Sequence, residues 1–97
     1  MSTIYVEPVQ NHSVLRLVEA AVQSEIARLE LALALAKKRL ASFEQKYHIA
    51  SEKFIATMTA EDLAGGDDEY VQWAGEYKLM VRLEEKLNQL KDVRFGN

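Results

Sequence analysis

The sequence contains no cysteine, only one proline and only four glycines among its 97 residues. Without cysteine it forms neither disulfides nor thiolate metal sites, and a reducing cytoplasm is the simplest compartment for such a chain. It has no uninterrupted apolar run of about 18 residues, and its start lacks a basic region followed by a long apolar stretch. We therefore expect neither a membrane span nor a secretion signal.

Charge and length narrow the class of protein further. The net charge is −3, and acidic and basic residues are intermixed, so the basic excess of a nucleic-acid binder is missing. The length suffices for one domain, and a chain this short buries only about 60 to 65% of the surface that it exposes when unfolded. We expect its own core to give little stability, and we expect help from a second copy or from a partner protein.

The longest segment without glycine or proline runs from Val14 to Tyr47 and predicts one long helix, with Ser13 suited to cap its start. Its apolar residues recur at steps of four and three, which is the spacing of a coiled-coil seam. The seam consists of Val22, Ile26, Leu29, Leu33, Ala36, Leu40, Phe43 and Tyr47. This face is predicted to pack on another helix.

The same helix carries more apolar residues than one seam needs. Leu31 and Leu35 point away from the seam, so the middle of the helix is apolar nearly all the way round. Leu15 and Val18 lie near its start, where the first helix extends past the predicted second one. Large exposed apolar patches mark association sites, and we predict that these four residues bind a partner.

The second half of the sequence predicts a turn and a second long helix. Ser51 can cap a short helix from Glu52 to Met58, and the pair Gly65–Gly66 marks a turn. A helix from Asp68 to Val93 follows, with a C-terminus that we expect to be frayed. Its apolar face consists of Tyr70, Trp73, Tyr77, Met80, Leu83, Leu87 and Leu90.

The predicted fold is all-α. Residues 12–97 form an antiparallel helical hairpin with a long first helix, and two copies are expected to associate into a four-helix bundle. Residues 1–11 form an extended arm, because Pro8 stops regular structure there. Its apolar segment, Ile4 to Val6, is either loose, which we favour, or a strand that adds to a partner's sheet.

No constellation of residues in the sequence is suited to catalysis or to metal binding. The two histidines, His12 and His48, stand at opposite ends of the long helix and cannot be directed at one metal ion. Adjacent carboxylates such as Glu84 and Glu85 point in different directions on a helix, so they cannot act as an acid and base pair. We predict a protein that is not an enzyme and needs no cofactor or metal.

Three charged or aromatic groups admit a structural and a functional interpretation. The basic run from Lys37 to Arg39 is either solvated or a weak nucleic-acid site. Three carboxylates near the turn either cap a helix or steer a basic partner: Asp62, Asp67 and Asp68. Tyr70 and Trp73 lie at helical spacing, which favours core packing, although both residue types also anchor interfaces.

A resemblance covers the second half of the chain. Tyr47, the run from Ser51 to Phe54, Gly66 to Asp68, Trp73 and the leucine-rich helix up to Leu90 resemble short prokaryotic helical-hairpin proteins. Those proteins are often encoded beside small toxin-like proteins and are treated as candidate antitoxins. The resemblance implies neutralisation of a toxin by direct binding. The connection before Gly65 is longer and richer in alanine here than in that pattern.

Our leading hypothesis is a cytoplasmic, antitoxin-like binding protein. Its apolar surface near Leu15, Val18, Leu31 and Leu35 would grip a toxin or a nuclease, with Tyr70 and Trp73 as further contacts. One alternative is a homodimeric coiled-coil scaffold or adaptor, and a weaker one is a helical nucleic-acid-binding protein. The sequence leaves open the identity of the partner and the helix order in the dimer.

Overall fold

The computed structural model describes residues 4–6, 12–57 and 67–95. Three helices make up most of it: α1 (His12–Tyr47), α2 (Ser51–Thr57) and α3 (Asp67–Lys91). Two three-residue strands, β1 (Ile4–Val6) and β2 (Val93–Phe95), flank them at the chain ends. α1 and α3 pack along one another, and α2 contacts both. The predicted helical hairpin with a long first helix is confirmed.

Ion pairs between the two long helices record their antiparallel order. Lys46 near the end of α1 lies 2.6 Å from Glu69 near the start of α3. At the other end Lys91 lies 3.7 Å from Glu30. Exposed pairs of this kind contribute little to stability, so they show the alignment of the helices, and apolar packing holds them together.

The first part of that packing lies in the middle of the hairpin. Leu29 and Ala36 of α1 are buried against Leu83 and Leu87 of α3. Partly buried residues surround them: Ile26, Ala32, Leu33, Met80 and Leu90. The predicted seam of α1 is therefore its core face, as the heptad spacing indicates.

The second part is aromatic and closes the end of the hairpin where α2 lies. Trp73 and Phe54 are both 0% exposed. Their rings stack with centroids 3.8 Å apart and an interplanar angle of 8°. Phe43 and Tyr47 of α1 stack on Trp73 at 5.4 and 5.6 Å. Since stacked pairs add about 0.5 to 1.5 kcal/mol beyond area burial, this end holds much of the packing energy.

The junction between α1 and α2 depends on a network of hydrogen bonds. The Glu44 carboxylate of α1 accepts from the Ser51 backbone N–H at 2.8 Å and from the Ser51 hydroxyl at 2.7 Å. The Ser51 hydroxyl in turn accepts from the Trp73 indole N–H at 2.9 Å. One buried serine thereby ties together α1, α2 and α3.

The prediction that Ser51 caps α2 is wrong by one position. The Ala50 carbonyl accepts the first helical hydrogen bond, from the Phe54 N–H at 3.0 Å, so Ala50 takes the cap position. Glu44 supplies the side-chain oxygen that a capping residue would give. Before this junction α1 ends at Tyr47, and the next residue, His48, has a φ of 56°, the left-handed conformation usual just after a helix.

The chain ends form a structure that the sequence did not predict. β1 pairs in parallel with β2, with Ile4 opposite Val93 and Val6 opposite Phe95. The interpretation of the arm as loose is therefore wrong for Ile4 to Val6, and its strand partner belongs to the same chain. α3 likewise ends at Lys91, two residues before the predicted end, because the segment after it joins this ladder. The predicted Gly65–Gly66 turn lies outside the described residues.

Replacing Trp73 by alanine should unfold the closed end of the hairpin. The change removes the stacking partner of three rings and leaves a large cavity, at a cost of about 3 to 5 kcal/mol in the free energy of unfolding. That is much of the stability of a small domain, so the far-UV circular dichroism midpoint in urea should fall steeply. Val71→Ala, at a site 64% exposed on the same helix, should change it by less than about 0.5 kcal/mol. Equal effects of the two changes would contradict this account of the core.

Replacing Ser51 by alanine should destabilise the junction of the three helices. The Trp73 indole N–H then stays buried without its acceptor, which costs about 1 to 3 kcal/mol. Trp73 is the only tryptophan, so urea unfolding followed by its fluorescence reports on this site directly. Ser42→Ala, an exposed change on α1, is the matched control, and a Ser51→Ala midpoint equal to that of the control would remove the proposed role of the network.

Candidate protein-binding surface

The side of α1 that faces away from the core is apolar over more than five turns. Leu17 is 70% exposed and Leu31 67% exposed, while Val14 and Leu35 are 54% and 46% exposed. Small residues fill the positions between them. We call this surface the outer stripe: Val14, Leu17, Ala20, Ala21, Ser24, Ala27, Leu31, Ala34 and Leu35, all of them exposed. A helix of a single globular chain normally carries charged residues there.

One charged side chain, Arg28, interrupts the outer stripe. Its guanidinium donates two hydrogen bonds to the Glu25 carboxylate, from Nε at 2.7 Å and from a terminal nitrogen at 2.6 Å. Hydrogen bonding to Glu25 raises the pKa of Arg28, and the same bonds lower the pKa of Glu25. The positive charge is thus compensated within one helical turn, and the stripe presents no uncompensated charge among its residues.

The predicted partner-binding residues of α1 divide by exposure. Leu31 and Leu35 are exposed on the outer stripe, Val18 is 37% exposed, and Leu15 is half-buried. The largest contributor, Leu17, was missed, although it stands two heptads before Leu31 and therefore on the same face. The same heptad spacing that predicts the core seam therefore also predicts that Leu17 lies on the face of Leu31.

The two aromatic candidates belong inside the chain. Trp73 is fully buried, so it cannot reach a partner, and its assignment to a partner-binding surface is corrected to core packing. Tyr70 is half-buried and packs edge-on against Phe54, with ring centroids 5.4 Å apart. It supports α2 from the side and is not part of the outer stripe.

The acidic residues near the turn are only partly described. Asp68 is exposed, whereas Asp62 and the side chain of Asp67 lie outside the described residues, so electrostatic steering stays a prediction. The neighbouring Glu69 has a structural role. It accepts a hydrogen bond from Lys46 and another from the Tyr47 hydroxyl, both at 2.6 Å. These bonds, that of Lys46 first, lower the pKa of Glu69.

The basic run of α1 is largely engaged within the hairpin. Lys37 lies 3.8 Å from Glu84, and Arg39 lies 3.4 Å from Glu76, both on α3. Lys38 is exposed and has no ion pair with a described residue. One lysine without an ion pair provides too little positive charge to bind a polyanion, which weakens the nucleic-acid alternative.

The described side chains offer little that could act as a catalytic centre. In the groove between α1 and α3, the second Glu76 oxygen is buried without a hydrogen-bond partner in the described part of the chain. It has Arg39, Ser42 and Gln72 around it but no second carboxylate to share acid and base roles. No three histidine or acidic residues within the described ranges gather as metal ligands. None of the described helices has the length and apolar character to cross a membrane.

Comparison with protein-family models, with curated proteins and with solved structures finds no match to this chain. The resemblance drawn from Tyr47, Ser51 to Phe54 and Trp73 therefore stays a prediction. The geometry of the outer stripe is the observation from which a function can be argued.

The Glu69 contacts predict an acid-side loss of stability. Because the pKa of Glu69 is lowered in the folded chain, the contribution is complete above its unfolded pKa and is lost as the pH falls through the folded pKa. Glu69→Gln should lower the melting temperature slightly at pH 7 and flatten its decline between about pH 5 and pH 3. Thermal melts across this range test the effect, with the exposed Glu52→Gln as control. A decline as steep in Glu69→Gln as in the unchanged chain would contradict it.

Proposed function

We propose that this chain is a non-enzymatic protein-binding module of the antitoxin type, which neutralises a toxin or nuclease by covering its surface. The outer stripe of α1 is the contact surface. The observation that carries the proposal is an apolar face from Val14 to Leu35, opposite the core seam and without an uncompensated charge. Binding is the mechanism, and no residue is assigned a chemical step.

The energetics of the stripe favour a protein ligand. Burying exposed leucine surface yields about 25 cal/mol per Å², so Leu17 and Leu31 represent a large favourable term that the single chain does not use. Over residues 14–35 the stripe is about 33 Å long, which suits a helix or an elongated groove on a partner. A small molecule would contact only a fraction of this length.

The uneven distribution of buried residues along α1 also supports the proposal that this helix binds a partner. From Ser13 to Arg28 no side chain of α1 is buried, and the first buried residue of the helix is Leu29. Most of a helix's stability in a protein comes from the packing of its apolar face, and this part of α1 has little of that packing. A ligand that binds the ordered helix stabilises it by mass action, so this half of α1 is suited to gain order with its partner.

The alternative functions receive less support. A coiled-coil scaffold would use the same stripe, so it differs from an antitoxin in having no toxin to neutralise. A nucleic-acid-binding role would need a basic surface, and the ion pairs of Lys37 and Arg39 remove two of its three cations. The outer stripe itself is apolar, which suits protein surfaces and not phosphates.

Co-expression with the protein whose gene neighbours that of this chain tests the proposal. We expect a stoichiometric complex on purification, and we expect the chain to relieve the growth defect that the neighbour causes alone. Leu31→Glu should weaken the complex by about 10- to 100-fold, because it replaces a buried leucine contact by a charge. Isothermal titration with the purified proteins measures this loss.

Val71→Glu is the matched control, because Val71 is 64% exposed on α3 and outside the stripe. Both variants should keep the helical circular dichroism of the unchanged chain. Equal affinity of the two variants would show that the stripe is not the contact surface. No complex and no relief of growth would refute the antitoxin function and leave the scaffold alternative.

A further inference from the structure

The outer stripe has an internal order beyond being apolar. Six of its residues follow one another at steps of three and four: Leu17, Ala20, Ser24, Ala27, Leu31 and Ala34. This is a second heptad seam on α1, on the side opposite the core seam. Its two bulky residues, Leu17 and Leu31, are separated by three small ones, and each leucine has an alanine about one turn away.

We propose that a second copy of this chain occupies the outer stripe, with the two α1 helices antiparallel. A two-fold axis between Glu25 and Ile26 places large residues on small ones. Leu17 then faces Ala34 of the second copy, and Ala20 faces Leu31. Ser24 faces Ala27 near the axis. Each contact occurs twice, as a two-fold symmetric interface requires.

The antiparallel order follows from the sizes of the residues. A parallel pair would place Leu17 on Leu17 and Ala20 on Ala20, so two leucine layers would be separated by three layers of small residues. Both crowding and cavities destabilise packed interfaces, whereas large residues opposite small ones interdigitate. The same two-fold axis brings Val14 of one copy near Leu35 of the other, and the apolar contact ends there, because the next seam position is Lys38.

Near the two-fold axis the charges do not oppose this pairing. The stripe carries no acidic side chain within residues 14–35, and the basic side chain on it near the axis is Arg28, while Arg16 lies at its end. Since Arg28 is held by Glu25 through two hydrogen bonds, two copies bring together compensated pairs and not free cations. Like-charge repulsion at the centre of the interface is thereby small.

The area of the outer stripe predicts the affinity of the dimer. A strip about 33 Å long and about 11 Å wide amounts to about 360 Å² from each copy. Specific interfaces of standard size bury about 800 Å² from each partner, and smaller ones belong to transient complexes. We therefore expect a dimer that dissociates readily. The inference rests on the proposed function in one respect, because the second copy holds the same face that a partner protein would take.

Cysteine cross-linking tests the arrangement, since the chain has no cysteine of its own. In the antiparallel dimer Ala20 faces Leu31 of the second copy, while the two Ala20 residues are about 16 Å apart along the helices. A disulfide requires Cα atoms within about 7 Å. An equal mixture of Ala20→Cys and Leu31→Cys chains should therefore give the mixed cross-linked dimer on mild oxidation. Mainly Ala20→Cys homodimers would overturn the antiparallel order.

A size exchange tests the same layer without oxidation. Leu31→Ala leaves a gap, and Ala20→Leu crowds the layer, so each should weaken self-association by about tenfold in sedimentation equilibrium. The double variant, Ala20→Leu with Leu31→Ala, restores a large residue opposite a small one and should return to within about threefold of the unchanged chain. Val71→Ala is the control. A double variant as weak as the two single changes combined would refute the layer.

The failure of this inference is separable from failure of the proposed function. An unchanged chain that stays monomeric in sedimentation equilibrium up to about 1 mM overturns the self-association, because its dimerisation free energy would then be weaker than about −4 kcal/mol. If that monomer still binds its neighbour-encoded protein, the proposed function stands. A dimer with the expected cross-link that binds no such protein supports the inference and refutes the function.

Discussion

The whole hairpin depends on the burial of one indole ring. Trp73 of α3 stacks on Phe54 of α2, and its N–H reaches the Ser51 hydroxyl, which Glu44 of α1 holds in turn. Stacking supplies the apolar energy, and the hydrogen bonds satisfy the buried indole N–H and the Ser51 hydroxyl in this orientation. Without the indole, Phe54 of α2 would lose its closest stacking partner, and the contact between α2 and α3 would be weakened.

Because of this packing, buried side chains are unevenly distributed along the hairpin. The aromatic end is packed by all three helices, whereas α1 has no buried side chain from Ser13 to Arg28. Local opening free energies follow buried contacts, so the free half of α1 is the part most easily ordered or displaced by a partner. The chain thus combines a fixed end with an adaptable one. A binding protein that gains stability from its partner needs that division, since a helix fully satisfied by its own core would offer nothing to a ligand.

The sequence predicted the parts of the fold that arise from local periodicity. Steps of three and four placed Leu29 and Leu87 in the core, and helix propensity located α1 and α3 closely. The missed features are those made by residues far apart in the chain. The Glu44 carboxylate accepts from the N–H of Ser51, seven residues later, in place of a capping side chain. The β1–β2 ladder joins residues near the two ends of the chain. Neither contact leaves a local pattern in the sequence. Leu17 could have been predicted from the sequence, because it stands two heptads before Leu31. It was missed because the heptad pattern was applied only to the core seam.

Two seams on one helix raise the question of why only one of them forms a core. The core seam carries a large apolar residue at nearly every position, and α3 offers a matching face within the same chain, so its pairing gains from high effective concentration. The outer stripe places alanine or serine at most of its positions, which reduces the apolar area that any contact can bury. A contact through the stripe therefore gains less from apolar burial than the core seam does. Under the proposed function this smaller gain would allow a second copy to leave the stripe when the target binds.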